Sequence, residues 1–84
     1  MMNPYIKLKI IDENGQTVRK IASRKSRRIF NFIKAEKTKD CVFWVKVNYG
    51  WFKDNFGKMV NFDNEGEYTT KKYLLHALRA FLEK

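Results

Sequence analysis

The sequence predicts an α+β fold: a small antiparallel sheet of about four strands in the order ββαββα, with a C-terminal helix packed on one face. Three observations carry that expectation. Apolar and polar residues alternate from Tyr5 to Ile10 in the segment that runs to Asp12, the period of a half-buried strand. Asn14-Gly15 follows at once, a strong short-range hairpin signal. Leu74, Ala77, Leu78, Phe81 and Leu82 then recur at three- and four-residue spacing near the end of the chain, the stripe of an amphipathic helix.

In the first strand Ile6, Leu8 and Ile10 share one face, and Tyr5, Lys7 and Lys9 the other. Thr17 to Ser23 returns as the second strand. A two-residue type I′ turn at Asn14-Gly15 sets Glu13 opposite Gln16, Ile11 opposite Val18 and Lys9 opposite Lys20, so two like charges face each other. Ser23 or Ser26 is placed to cap a helix that runs to about Lys37, with Ile29, Phe30 and Ile33 as its apolar stripe. The paired Phe residues leave a strand at 29–33 as the competing reading.

Cys41 to Tyr49 is rich in Val and aromatic residues, as a strand is. Cys41, Phe43, Val45, Val47 and Tyr49 fall on its core face, and Val42, Trp44, Lys46 and Asn48 on the other. Residues 50–57 read as a loop loaded with Trp51, Phe52 and Phe56. Lys58 to Asp63 reads as the fourth strand, and Asp63-Asn64-Glu65-Gly66 as a turn by composition. Thr69 or Thr70 is a suitable N-cap for the last helix. No linker or low-complexity segment divides the chain, so residues 1–84 are expected to form a single domain.

At 84 residues a chain buries about 60–65% of the surface its unfolded form exposes. With one cysteine and one histidine it assembles neither an internal disulfide nor a cysteine/histidine zinc site, so packing alone must hold the core. Aromatic residues make up 15% of the chain, and each buries a large area. No cofactor or metal is expected. The lone Cys41, the lack of a long apolar run and the alternating N-terminus fit a cytoplasmic protein.

The charge is large and uneven. Eighteen Lys and Arg against nine Asp and Glu leave a net charge of +9. Residues 1–42 hold eleven basic and four acidic side chains, whereas residues 43–84 hold seven and five. Six of the ten residues from Arg19 to Arg28 are basic: Arg19, Lys20, Arg24, Lys25, Arg27 and Arg28. Lys and Arg neutralise phosphates and release counterions, and Arg also grips a phosphate through two parallel hydrogen bonds. Cations in the first turn of a helix oppose its dipole. Lys71 and Lys72 stand there in the last helix, as Arg27 and Arg28 do in the first, and both starts are therefore candidate anion sites. Trp44 and Trp51 are candidates for stacking on unpaired bases.

The expectation is thus a basic nucleic-acid-binding protein, for DNA or RNA. It contacts phosphates through Lys7, Lys9, Arg19, Lys20, Arg24, Lys25, Arg27 and Arg28, with Lys71 and Lys72 as a second contact. The runner-up is a protein-binding regulator, of the kind phages and mobile elements encode, whose basic surface masks an acidic or nucleic-acid-handling surface of a partner, with Trp51, Phe52 and Phe56 as anchoring residues. Catalysis is not expected, since His76, with Lys72 and Arg79 as helical neighbours, has no evident nucleophile or metal partner nearby in sequence.

Overall fold

A computed structural model of the chain describes residues 4–37, 39–53 and 55–82, apart from the side chains at 51, 52, 60, 62, 81 and 82. The elements run β1 (Tyr5–Ile11), β2 (Thr17–Ser23), α1 (Ser26–Ala35), β3 (Val42–Lys53), β4 (Met59–Tyr68) and α2 (Lys71–Leu82). The strands form one antiparallel sheet in the order β2-β1-β3-β4. The expected α+β fold and ββαββα order are therefore those of the molecule.

The sheet buries one face only. Ile6, Leu8 and Ile10 of β1 and Phe43, Val45 and Val47 of β3 form a single cluster with Ile29 and Ile33 of α1 and Leu74 and Leu78 of α2. Each helix contributes an i, i+4 pair, because residues four apart lie above one another on a helix. Both helices therefore cover the same face. The side chains at alternate positions, from Tyr5 to Ile11 and from Val42 to Asn48, line the face that no helix covers.

Residues 26–35 are helix rather than strand, which places Ile29 and Ile33 together in the core. The N-cap is Lys25, with no side-chain cap. Ser26 is the first helical residue, and the Ser23 hydroxyl instead accepts the Lys25 N–H at 3.0 Å in the connecting turn. At α2 the cap is Thr70, whose hydroxyl accepts the Tyr73 N–H at 3.3 Å.

Three expectations are corrected. The first hairpin does not close with a type I′ turn, because Gly15 has φ of 80° while Asn14 keeps a negative φ. The Gly15 N–H bonds the Asp12 carbonyl at 3.0 Å, and the Asp12 N–H bonds the Gln16 carbonyl at 2.9 Å. This is a three-residue loop with glycine in the left-handed region. The Asp12 carboxylate braces it by accepting the N–H groups of Asn14 and Gln16, each at 2.9 Å. The extra loop residue pairs Ile11 with Thr17, and a bulge at Val18 then restores Lys9 opposite Lys20.

Second, residues 51–53 belong to β3, not to a loop. β3 crosses a bulge between Asn48 and Trp51, after which Trp51 pairs with Asn61 and Lys53 with Met59. Gly50 supplies the positive φ of 85° that the bulge requires. Asn48 pins it: its side-chain oxygen accepts the Gly50 N–H at 2.9 Å, and its amide donates to Asn61 and Asp63. Third, Asp63 to Gly66 is no turn. Its residues continue β4 opposite Asn48 to Val45, since a twelve-residue partner strand overrides local turn composition. The far ends of β3 and β4 therefore reach past β1, whose pairing with β3 ends at Asn48. The molecule is accordingly elongated at 45 × 24 × 18 Å.

Candidate nucleic-acid interface

The open sheet face is built by alternation, and the register decides which charges meet. Lys9 lies opposite Lys20 on one side and Trp44 on the other; Lys7 lies opposite Lys46. Two like-charge pairs thus stand across β1, an arrangement that disfavours pairing. Lys46 is compensated by Asp63 at 3.7 Å. Lys7, Lys9 and Lys20 have no carboxylate within 4 Å among the described residues. Together with Ala22 they line a shallow concavity over β1 and β2.

Two aromatic rings border this lysine cluster. Trp44 is half-buried, and the Lys9 ammonium lies 4.9 Å from its ring centre. The indole is held from the other side by its N–H, which donates to the Glu65 carboxylate at 2.6 Å. Tyr5 carries the Arg24 guanidinium 5.5 Å from its ring centre and the Lys7 ammonium at 6.0 Å. Such contacts hold long cationic side chains near the sheet surface. Tyr5 and Lys46 belong to this face although their residue types gave no signal in the sequence. Only the alternation that set Ile6 and Val45 inward pointed to them.

Across the sheet the sign reverses. Asp63, Glu65 and Glu67 project from β4 on the same face, at register positions opposite Asn48, Lys46 and Trp44. The basic part of the open face is therefore confined to β1, β2 and the middle of β3.

The remaining basic residues do not join this face. Arg19 pairs with Ile10 and so points to the helix-covered side, where its guanidinium meets Glu36 at 3.5 Å. Glu36, 2% exposed, closes α1 and also accepts the Lys37 N–H at 3.2 Å. The Lys71 ammonium donates to the backbone carbonyl of Glu36 and to that of Lys34 at 3.4 Å. It caps the C-terminal end of α1, where a cation is favoured by the dipole. Arg19 and Lys71 thus tie β2, α1 and α2 to one another.

Lys25, Arg27 and Arg28 are exposed at the start of α1, and Lys72 at the start of α2. Neither helix has an acidic residue in its first turn. Arg27 faces a groove that also takes in Lys34 and Arg79, two cations absent from the sequence-based set. Arg27 and Lys34 are seven apart, one helical face by spacing; the approach of Arg79 from α2 has no signature in the sequence. Lys72 lies beside Tyr73, His76 and Arg79. Trp51 is a β3 residue, and its side chain lies outside the described residues.

Cys41, 6% exposed, sits near Glu36. Burial pushes its thiol above the ordinary value, and the charge of Glu36 pushes it the same way. Among the described residues no group of three or more His, Cys, Asp or Glu is placed to hold a metal ion, and no helix is long and apolar enough to cross a membrane.

No protein-family model matches the chain, and comparison with curated proteins and with solved structures gives no significant match. The functional reading rests on the side chains themselves.

Proposed function

We propose that the protein binds nucleic acid through phosphate contacts on the open face of β1 and β2, made by Lys7, Lys9, Lys20 and Arg24. One observation carries this reading. Lys9 and Lys20 are directly opposed in the sheet, with Lys7 beside them, and none has a carboxylate partner within 4 Å among the described residues. A cluster of that kind is relieved when a polyanion lies across it. The bordering Tyr5 and Trp44 add flat surface for unpaired bases, once Arg24 and Lys9 swing from the rings to phosphates. Phosphate contacts dominate, so sequence selectivity is modest.

The test is fluorescence anisotropy with labelled single- and double-stranded DNA and RNA at about 50 and 200 mM salt. Binding that weakens at least tenfold with salt, and that Lys7→Glu, Lys9→Glu and Lys20→Glu together reduce at least tenfold, supports the reading. Absence of binding to all four at low salt refutes it.

A second reading draws on the exposed tip of the β3–β4 hairpin. Phe56 is 94% exposed and Met59 50% exposed, apolar area of the kind that anchors a protein partner. Under that reading the protein is a regulator of another protein, and complex formation survives high salt but fails with Phe56→Ala.

A further inference from the structure

We infer that the helical layer carries a second phosphate-backbone groove, so that one chain holds two nucleic-acid segments, one on each face. The inference rests on the nucleic-acid reading above and extends it to a surface that reading does not use.

The groove lies between α1 and α2 and is lined by Ser26, Arg27, Phe30, Asn31, Lys34 and Arg79. Its chemistry is one-sided. The 22 residues of the two helices include Arg27, Arg28, Lys34, Lys71, Lys72 and Arg79 and not one Asp or Glu. Arg27, Lys34 and Arg79 are exposed, and none has an ion pair within 4 Å among the described residues. The sheet face, by contrast, also carries three carboxylates, those of Asp63, Glu65 and Glu67 on β4. The acid that does lie at the end of α1, Glu36, is already engaged by Arg19 and is buried.

The spacing suits a polyanion. Arg27 and Lys34 stand about 10 Å apart along the helix axis, about three base steps of a duplex. Arg27 and Arg79 present planar forks that grip phosphates. Ser26 and Asn31 add neutral hydrogen-bonding groups, and Phe30 gives the groove an apolar wall. Because both helices cover the face of the sheet opposite Lys7 and Lys9, this groove points away from the first site. A short strand on one face does not reach the other.

A sandwich capture assay tests this. A biotinylated six-nucleotide strand, about 20 Å long at about 3.4 Å per nucleotide, is immobilised, the full chain is added, and a labelled, non-complementary six-nucleotide strand follows. The expected result is retention of the label by the wild type. Reversal of the groove with R27E, K34E and R79E lowers retention at least tenfold, while anisotropy shows that the variant still binds a single strand. The R27Q, K34Q and R79Q triple repeats the test without adding negative charge, and circular dichroism checks both folds. Binding of one strand by the wild type without capture of the second overturns this inference and leaves the first reading standing. Capture unaffected by groove reversal overturns it too, since a dimer with one site per chain then explains bridging. Polyglutamate that displaces the label as well as a strand of equal charge reassigns the groove to acidic peptides. A wild type that binds no strand overturns both readings.

Discussion

Neutralising the sheet-face lysines should flatten the salt dependence of binding by a calculable amount. The perturbation is Lys7→Gln, Lys9→Gln and Lys20→Gln, made in a chain whose helical groove is silenced by R27Q, K34Q and R79Q so that one surface is read. Lys46 is left out of the count because Asp63 already compensates it. Four contacts, from the three lysines and Arg24, give a slope of log affinity against log salt of about −2.8 on a single strand, at about −0.7 per phosphate. A rise from about 50 to 200 mM salt then weakens binding about 50-fold. The triple replacement leaves Arg24, a slope of about −0.7 and a loss of about threefold over the same range. Anisotropy titrations at four salt concentrations measure both slopes. A change in slope smaller than about 1 would refute the argument, because at least two of the three lysines would then touch no phosphate.

Three other outcomes follow from the geometry. Lys71→Met should lower stability by about 1–2 kcal/mol, since it removes charge-assisted bonds to the end of α1, and leave affinity per folded molecule unchanged; urea melts beside anisotropy measure both, and Lys72→Met should leave the urea midpoint alone. Cys41 should resist iodoacetamide in the folded chain and react in urea. Its thiol holds its proton longer when folded, so the unfolded chain ionises first as pH rises past the ordinary thiol value of 9.0. The group's contribution is complete below that pH and is lost as pH climbs towards the folded value, which melts from pH 8 to about 10.5 would record. Gly15→Ala should cost about 1–2 kcal/mol purely through backbone strain at φ of 80°, and Gly15→Asn distinctly less; equal losses for the two would show that the strain argument is wrong.

The element order was legible because each strand and helix carries its own period: two along Ile6, Leu8 and Ile10, three and four along Leu74, Ala77 and Leu78. The Lys9–Lys20 register was also legible, though through a turn the molecule does not use. A longer loop and a bulge at Val18 cancel, and register is pinned by which faces are apolar rather than by the turn. Residues 51–53 and 63–66 were misread because glycine and polar residues signal turns locally, whereas here 51–53 pair with 59–61 and 63–66 with 45–48 along one long two-stranded ladder. The lysines of the sheet face were found by alternation. The contacts of Arg19 and Lys71 were not legible for a different reason: their partner, Glu36, lies 17 residues from one and 35 from the other, and nothing in its neighbourhood marks it as buried. Lys34 and Arg79 meet only through the packing of Ile29 and Ile33 beside Leu74 and Leu78, a contact that sequence spacing does not encode.

The sheet's two outer edges differ in sign. β2, at one border, offers Arg19 and Lys20; β4, at the other, offers Asp63, Glu65 and Glu67. Chains arrayed side by side along a common polymer, all in one orientation, would meet acidic border to basic border. Neighbour attraction of that kind makes occupancy rise more steeply with protein concentration than independent sites allow. It also weakens as salt screens the borders, so the steepness of a binding isotherm on a long strand would fall with ionic strength alongside its midpoint.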